Sequence, residues 1–262
     1  MRPLLRPDEV STYFGRRLVE LMDIPKGAAV LDVGTGRGAS LVPAAGRVGP
    51  KGTVIGIDIS ENAINFTSER IKELGLTNAR ALVMNGLCMS FDNGIFDFVL
   101  GGFMITDLYE QDQGLTDINR VLKDEGRVGF YSWAFAESAE LMARLLRERG
   151  GLDVQGADSI IFDQETRDSM ERMLYDAEFE NVRTLTEHVD LVFRDEEEWW
   201  REMWDIGWRH HVKEIETKGE NQLERFKEYC FEALRDYGKG DGLSFIESVV
   251  FGFGTKRIAD DK

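Results

Sequence analysis

The sequence is poor in cysteine and histidine, which limits the metal and redox chemistry available to it. Its 262 residues include two cysteines and three histidines. Cys88 and Cys230 are far apart and belong to no CxxC or CxxH spacing. We therefore expect neither a disulfide framework nor a cysteine-built zinc site, and no metal ion, and the free thiols suit a reducing cytoplasm.

Long apolar runs and an excess of positive charge are also missing. No run reaches the length of a membrane span, and the N-terminal residues lack the apolar core of a signal peptide. Lys and Arg number 32 against 48 Asp and Glu, which gives a formal net charge of −16 at pH 7. A field of that sign repels nucleic-acid backbones and anionic membrane surfaces. The sequence therefore predicts a cytoplasmic protein that binds neither nucleic acid nor membrane.

Short β-rich runs alternate with helical patterns through the first part of the chain. The runs are nearly continuous in Val, Ile, Leu and Phe, which is typical of strands buried on both faces of a parallel sheet. They cover residues 28–34, 53–59, 79–85, 96–102 and 127–133. Between them, SENAINFTSERIKELG has Ser60 as its N-cap and Gly75 as its end. This alternation predicts a doubly wound α/β sheet.

The segments on either side of this region have a different pattern. Residues 1–24 contain an amphipathic helical pattern and are predicted to form a lid on a cofactor-binding core at 25–150. The segment 195–238, rich in charged and aromatic residues at helical spacing, lies between an alternating strand at 181–193 and the last strand. We predict a single domain over 1–262, in which 195–238 is a helical cap inserted before an antiparallel last strand.

The stretch VLDVGTGRGAS places alternating glycines, Gly34, Gly36 and Gly38, between a predicted strand and a helix. Glycines at such a turn let the backbone approach a ligand while the helix N-terminus points at it. No GK[ST] follows, so the loop is not a phosphate-binding P-loop. The second strand ends in Asp58, where a carboxylate can accept both hydroxyls of an adenosine ribose. The loop and Asp58 together predict a ligand that contains adenosine.

Asp32, two residues before the first of these glycines, bears on which adenosine ligand is bound. A pyrophosphate near this carboxylate would be repelled by about 1–4 kcal/mol, depending on the effective dielectric. S-adenosylmethionine instead carries an ammonium and a sulfonium, which a carboxylate attracts. We therefore expect S-adenosylmethionine rather than a nicotinamide dinucleotide.

With these residues identified, the sequence resembles the class I S-adenosylmethionine-dependent methyltransferases, strongly over 28–134 and more weakly beyond. VLDVGTGRG is similar to the family's first motif, whose loop contacts the methionine part of the cofactor, and GIDIS is similar to the second. MNGLCMSFDNGIFDFVLGGF and INRVLKDEGRVGF resemble the later motifs. The resemblance implies a doubly wound, mostly parallel seven-stranded sheet and methyl transfer to a small organic or metabolite acceptor.

The resemblance also implies a cofactor site built from the ends of successive strands. Where the family usually has an aspartate that reaches the adenine amino group, this chain has Asn85, whose amide oxygen can still accept. The alternative is that Asn85 caps a turn, and Ile59 either packs on the adenine ring or belongs to the core. The predicted cofactor-binding residues are Asp32, Gly34, Thr35, Gly36, Gly38, Asp58, Ile59, Asn85, Gly86, Leu87, Gly101 and Phe103.

The acceptor side is expected to involve the N-terminal helix, the residues after the fourth strand and the cap. The predicted substrate-binding residues are Tyr13, Phe14, Met104, Trp204 and Trp208. The cap tryptophans follow one helical face, so packing of that helix on the domain is the alternative. A general base is needed only if the nucleophile starts protonated. Its candidates are His210, His211, Asp107 and Tyr109.

Two other classes of function stay open at this stage. One is a protein that binds S-adenosylmethionine without methylating, and the other is a nicotinamide-dependent reductase. The absence of a [DN]PP[YFW] run after the fourth strand argues against methylation of nucleic-acid bases. The sequence defines neither the acceptor nor the oligomeric state, and a homodimer is left open.

Overall fold

The computed structural model describes residues 2–104, 113–152, 163–204, 208–219, 221–240 and 242–258. Its strands are β1 (Leu4–Leu5), β2 (Ala29–Val33), β3 (Thr53–Asp58), β4 (Ala79–Val83), β5 (Phe96–Gly102), β6 (Leu122–Ala136), β7 (Phe179–Phe193), β8 (Gly238–Lys239) and β9 (Gly242–Lys256). They pair in the order β1-β7-β9-β6-β5-β2-β3-β4, and β8 pairs with β9. Since β1 and β8 have two residues each, the longer strands of this nine-stranded sheet number seven, as predicted.

The helices separate these strands in the predicted alternation. They are α1 (Val10–Met22), α2 (Leu41–Val48), α3 (Glu61–Glu73), α4 (Gln113–Val121), α5 (Glu137–Glu148), α6 (Asp163–Asp176), α7 (Glu196–Met203), α8 (Arg209–Thr217) and α9 (Gln222–Leu234). The predicted cap of α3 is confirmed, because the Ser60 hydroxyl accepts a hydrogen bond from the Ala63 N–H. Within the described part of the chain, no helix combines the length and the apolar character that crossing a membrane requires.

The centre of the sheet is parallel, as its apolar strands predicted. β2 pairs with both β3 and β5, and β3 pairs with β4 in the same direction. Val30, Leu31 and Val33 of β2 are fully buried. The register places Val33 beside Ile57 on one side and beside Gly101 on the other. The carboxyl ends of β2, β3 and β5 therefore meet at one edge of the sheet, where ligands bind in open α/β sheets.

The chain divides into two compact units. The glycine-loop unit comprises Val10–Ser132, Thr166–Thr186 and Val250–Lys262, and the cap unit comprises Met1–Glu9, Trp133–Glu165 and Glu187–Val249.

Ion pairs within the cap unit explain why the first residues of the chain belong to the same unit as the predicted cap. Arg2 forms an ion pair with Asp190, and the Arg6 guanidinium binds the Glu198 carboxylate. Trp199 is fully buried in this unit and stacks on Phe245. The boundaries of the two units therefore fall inside the predicted lid at 1–24 and inside the predicted core at 25–150. The units differ from the prediction because contacts between residues far apart in the sequence define them.

Candidate functional site

The glycine loop follows β2 and has left-handed backbone at Gly34, Gly36 and Gly38. A Cβ atom at Gly34 would lie 2.7 Å from the Cγ of Met104, so a larger residue does not fit there. At Gly36 the nearest atom to such a Cβ would be 3.9 Å away. Gly36 therefore combines a backbone conformation that favours glycine with open space where a side chain would stand, which leaves room for a ligand to approach its Cα.

Asp58, at the end of β3, ties this loop to helix α3. One carboxylate oxygen accepts from the Gly36 N–H at 2.9 Å, and the other accepts from the Ser60 N–H at 2.9 Å. Thr67 of α3 donates its hydroxyl to the Gly36 carbonyl at 2.7 Å. Each oxygen of an ionised carboxylate has a second lone pair, so the half-buried Asp58 can still accept ribose hydroxyls. Its place matches the prediction.

Asp32 is the buried acid of the site, with 2 % of its surface exposed. It accepts from the Thr35 hydroxyl at 2.6 Å and from the Leu41 N–H, the first residue of α2. Burial raises the pKa of Asp32 to about 7, although these two hydrogen bonds oppose the shift and the charge of Asp58 adds to it. The carboxyl is therefore poised near neutral pH, and a nearby cation would favour its ionised form.

The apolar side chain that follows Asp58 is exposed. Ile59 has 75 % of its surface accessible, so the alternative that it belongs to the core is wrong. An exposed isoleucine beside the ribose candidate leaves an apolar face on which an adenine ring can pack. That role stays a prediction.

Asn85 lies in an exposed turn after β4. Its amide oxygen accepts from the Leu87 N–H at 2.9 Å, so the turn contact that was the alternative role of Asn85 is present. Gly86 lies inside this turn, between the two bonded residues. The second lone pair of the Asn85 oxygen is still available to an adenine amino group. The adenine role of Asn85, Gly86 and Leu87 therefore stays a prediction.

The end of β5 supplies the opposite wall of the loop. Phe103 has a φ of 52°, a left-handed conformation that is rare for aromatic residues and is found at functional sites. Its N–H donates to the carbonyl of Tyr131 on β6 at 2.9 Å, and its ring meets the Tyr131 ring edge-on at 4.8 Å. A Cβ at Gly101 would lie 3.2 Å from the sulfur of Met104. Gly101, Phe103 and Met104 therefore lie together at the end of β5, and their roles in binding cofactor and substrate stay predictions.

Helix α1 contributes two of the predicted substrate residues to the same unit. Phe14 is fully buried and packs edge-on against Phe103, with ring centroids 6.3 Å apart. Tyr13 is half-buried, with its ring 5.1 Å from that of Phe14. Phe14 is thus part of the wall behind Phe103, and Tyr13 is the more accessible of the pair.

Sequence reasoning missed three residues that shape the site: Ser40, Gly102 and Tyr131. A Cβ at Gly102 would lie 2.2 Å from the Cζ of Tyr131, so glycine is needed for the tyrosine ring to lie there. The pair Gly101 and Gly102 at the end of β5 is a sequence feature from which this close approach could have been predicted. Tyr131 and Ser40 gave no such signal, since their places in the site depend on strands and loops that come together only in the fold.

The tryptophans of the cap unit have different environments. Trp208 is 7 % exposed and its ring lies 5.7 Å from that of His211, which favours the packing alternative for Trp208. Trp204 is half-buried. Together with Trp200, Arg201 and Leu223 it lines an open concavity of about 460 Å³. Trp204 is therefore better placed than Trp208 to contact a ligand.

The candidate general bases differ in whether the structure describes them and in how exposed they are. Asp107 and Tyr109 lie outside the described residues. His210 is exposed, whereas His211 is half-buried. The Nδ1 of His211 is buried and has no hydrogen-bond partner among the described residues. Across the same residues, no group of three or more His, Cys, Asp or Glu is arranged to hold a metal ion.

Comparison with known proteins identifies a family for most of the glycine-loop unit. Residues 24–177, more than half of the chain, match the family described as a methyltransferase domain. Aklanonic acid methyltransferase DauC of Streptomyces sp. (strain C5) is 38 % identical over 127 residues, which cover 48 % of this chain and 58 % of that protein. Nocamycin O-methyltransferase of Saccharothrix syringae is 40 % identical over 114 residues, covering 44 % and 41 %. The chain thus spans about half the length of the curated relatives it matches.

Solved structures support the same fold. A SAM-dependent methyltransferase from Aquifex aeolicus superposes with a TM-score of 0.52 at 23 % identity, covering 68 % of this chain and 85 % of that one. The YcgJ protein of Bacillus subtilis gives a TM-score of 0.58 at 16 % identity, covering 94 % of this chain and all of the other. At such identities the likeness concerns the fold alone.

Proposed function

This chain belongs to the class I S-adenosylmethionine-dependent methyltransferases, and we propose that it transfers the cofactor's methyl group to a small organic acceptor. One observation carries the proposal. The Gly36 N–H donates to the Asp58 carboxylate beside open space at the Gly36 Cα, and both residues lie in the same unit as the buried acid Asp32. An accessible loop, a ribose acceptor and a buried carboxyl poised to ionise near neutral pH suit an adenosine ligand that carries positive charge.

The residues present fit this cofactor. S-adenosylmethionine supplies a methyl group activated by a positively charged sulfonium, together with an ammonium and an adenosine. Asp58 would hold the ribose hydroxyls, and the exposed Ile59 would pack against the adenine. Gly101 and Phe103 would border the methionine part. Asp32, whose pKa of about 7 allows ionisation at neutral pH, would favour the positive charge.

The protein's share of the reaction is mainly positioning. An in-line displacement needs a nucleophile held in the correct direction and a site from which water is excluded. Phe14, Phe103 and Met104 form an apolar wall beside the glycine loop, which suits the exclusion of water. If the acceptor starts protonated, the exposed His210 and the half-buried His211 are the candidate bases among the described residues.

The acceptor is proposed as a small molecule with an apolar or aromatic body. Trp200, Trp204 and Leu223 line the concavity of the cap unit, and Arg201 adds one charge, which is the usual composition of a small-molecule site. The names of the relatives include aklanonic acid, nocamycin and demethylmenaquinone, so related chains act on different acceptors. A cytoplasmic location, the lack of nucleic-acid and membrane partners, and a homodimer stay predictions.

Transfer of a labelled methyl group tests the proposal. Protein incubated with methyl-labelled S-adenosylmethionine and a fractionated metabolite pool should move the label to a small molecule that mass spectrometry can identify. Asp58→Asn, which keeps the shape but removes the charge, should reduce that transfer at limiting cofactor. Binding of the cofactor without transfer to any fraction would instead support a protein that binds S-adenosylmethionine but does not methylate.

A further inference from the structure

The concavity of the cap unit has two aromatic side chains that are supported by their neighbours. The ring of Trp200 lies 6.1 Å from that of Phe226, and the Lys227 ammonium lies 6.0 Å from the Trp200 ring. The Arg209 guanidinium lies 5.8 Å from the ring of Trp204. Both tryptophans are nevertheless only half-buried. Each ring therefore has a packing partner and keeps part of its surface exposed, where a flat apolar ligand can pack.

Arg201 is the charged residue that lines this concavity, and the acids of its own helix are engaged elsewhere. Glu197 and Glu198 precede it by four and three residues, the spacings at which ion pairs form along a helix. Glu197 instead accepts from Lys227 of α9 at 2.9 and 3.0 Å, and the Glu198 carboxylate is bound by two other arginines. Within the described part of the chain, the exposed Arg201 guanidinium has neither an ion pair nor a hydrogen bond.

The chemistry of a guanidinium defines what Arg201 can bind. A guanidinium only donates hydrogen bonds, so its partner must supply acceptor atoms. Its parallel N–H groups match the two oxygens of a carboxylate better than they match a single oxygen. The net charge of −16 repels anions from the molecule as a whole, so an anionic ligand needs a local cation of this kind.

We propose that the acceptor is an aromatic carboxylate, whose carboxylate binds Arg201 and whose ring packs against Trp200 and Trp204. This inference rests on the proposed function, because it takes the concavity as the place where the acceptor binds. The volume of about 460 Å³ suits a small organic molecule of this class. The alternative is that Arg201 is a solvated surface arginine with no ligand.

Two probes with the same ring, 2-naphthoate and 2-naphthamide, separate the contribution of the charge from that of the ring. In ligand-observed NMR titrations of the whole chain, 2-naphthoate should bind at least about threefold more tightly, as expected for a partly exposed charged pair. Arg201→Gln should abolish this preference by weakening the binding of 2-naphthoate alone. Trp204→Ala should weaken both probes, because both use the ring contact.

Arg225→Gln is the matched control for the loss of one positive charge. Arg225 is exposed on α9 and does not line the concavity, so this variant should keep the preference of the wild-type chain. The inference is overturned if the wild-type chain has no preference for 2-naphthoate or if Arg201→Gln retains it. An equal loss in Arg225→Gln would also overturn it, because the effect would then come from net charge.

Methyl transfer separates a failure of this inference from a failure of the proposed function. A metabolite pool is divided by an anion-exchange resin at pH 7, and each fraction is incubated with methyl-labelled S-adenosylmethionine. The label should move to a molecule of the bound fraction, and Arg201→Gln should reduce this transfer at limiting acceptor about threefold or more. Transfer to the unbound fraction alone would overturn the inference and leave the proposed function standing. Transfer to neither fraction would contradict both.

Discussion

Two buried carboxyls, Asp32 and Glu247, have pKa values that burial moves to near-neutral pH. Burial raises the pKa of Asp32 from 3.8 to about 7 and that of Glu247 from 4.5 to about 8. In each case the folded state keeps a proton that the unfolded chain releases as the pH rises above its own pKa. Their contribution to stability is therefore lost progressively as pH rises from about 4, up to about 7 for Asp32 and about 8 for Glu247.

Asp32→Asn should gain stability and lose cofactor affinity. The amide mimics the protonated acid, so its advantage in the free energy of unfolding should grow between about pH 4 and pH 7 and level off above that range. Without a charge it no longer attracts the ammonium of the ligand, so S-adenosylhomocysteine, which keeps the ammonium but lacks the sulfonium, should bind more weakly at pH 7.5. Denaturant titration and calorimetry measure the two effects.

Glu247→Gln is the control for this prediction. Glu247 is 1 % exposed in the cap unit, where it accepts from the Ser138 hydroxyl at 2.6 Å. It should show the same trend in stability, extended to about pH 8, without a change in affinity for S-adenosylhomocysteine. An equal loss of affinity in both variants would mean that Asp32 acts on the cofactor only through general stability.

At the scale of elements, the turn between β2 and α2 is where the cofactor is proposed to bind. Gly36→Ala should lower the free energy of unfolding by about 1 kcal/mol, because alanine is strained at a φ of 51°. Its methyl group would also stand in the open space above the loop, so affinity for S-adenosylhomocysteine should fall at least about tenfold, or roughly 1.4 kcal/mol.

Gly75→Ala is the matched control for this loop. Gly75, at the end of α3, has a φ of 63°, and a Cβ at this position would have no atom of the described residues within 4 Å. The backbone strain is therefore similar, but no ligand is expected there. If both variants lose stability and neither loses affinity, the cofactor does not lie against Gly36.

Two tryptophans in the helical part of the cap unit, Trp208 and Trp204, can be compared by substitution. Trp208→Ala should lower the free energy of unfolding by about 3–5 kcal/mol, since Trp208 is 7 % exposed. Trp204→Ala should cost less stability and should reduce turnover of the identified acceptor more than affinity for S-adenosylhomocysteine. Full turnover by a folded Trp204→Ala protein would contradict a role in acceptor binding for helix α7, whose C-cap residue is Trp204.

The sequence predicted β5 at its observed limits, but β6 begins at Leu122 rather than at residue 127. Lys123, Asp124 and Glu125 are exposed, and Glu125 has a left-handed φ of 60°, so apolar content gives no sign of a strand there. Local pattern does predict the glycine loop and the position of Asp58, because both belong to a single strand-turn-helix unit. The burial of Asp32 and its bond to Leu41 depend on how the loop folds back.

At the scale of the whole molecule, cofactor and acceptor are expected to depend on different parts of the chain. The residues proposed to hold the cofactor all belong to the glycine-loop unit, and the concavity with Trp200 and Trp204 belongs to the cap unit. The family match covers residues 24–177 and so contains the whole of the proposed cofactor site. The concavity proposed for the acceptor lies outside this match, so the sequence predicts the cofactor better than the acceptor.

The central claim is that the glycine-loop unit binds an adenosine ligand that carries an ammonium group, as S-adenosylmethionine and S-adenosylhomocysteine both do and NADH does not. Calorimetric titration of the wild-type chain with S-adenosylhomocysteine and, separately, with NADH tests it most directly. We expect S-adenosylhomocysteine to bind with a Kd between about 1 μM and 1 mM, the usual range for enzyme ligands, and NADH not to bind. Asp58→Ala should weaken the first titration by removing the ribose acceptor. Binding of NADH with no response to S-adenosylhomocysteine would contradict the account.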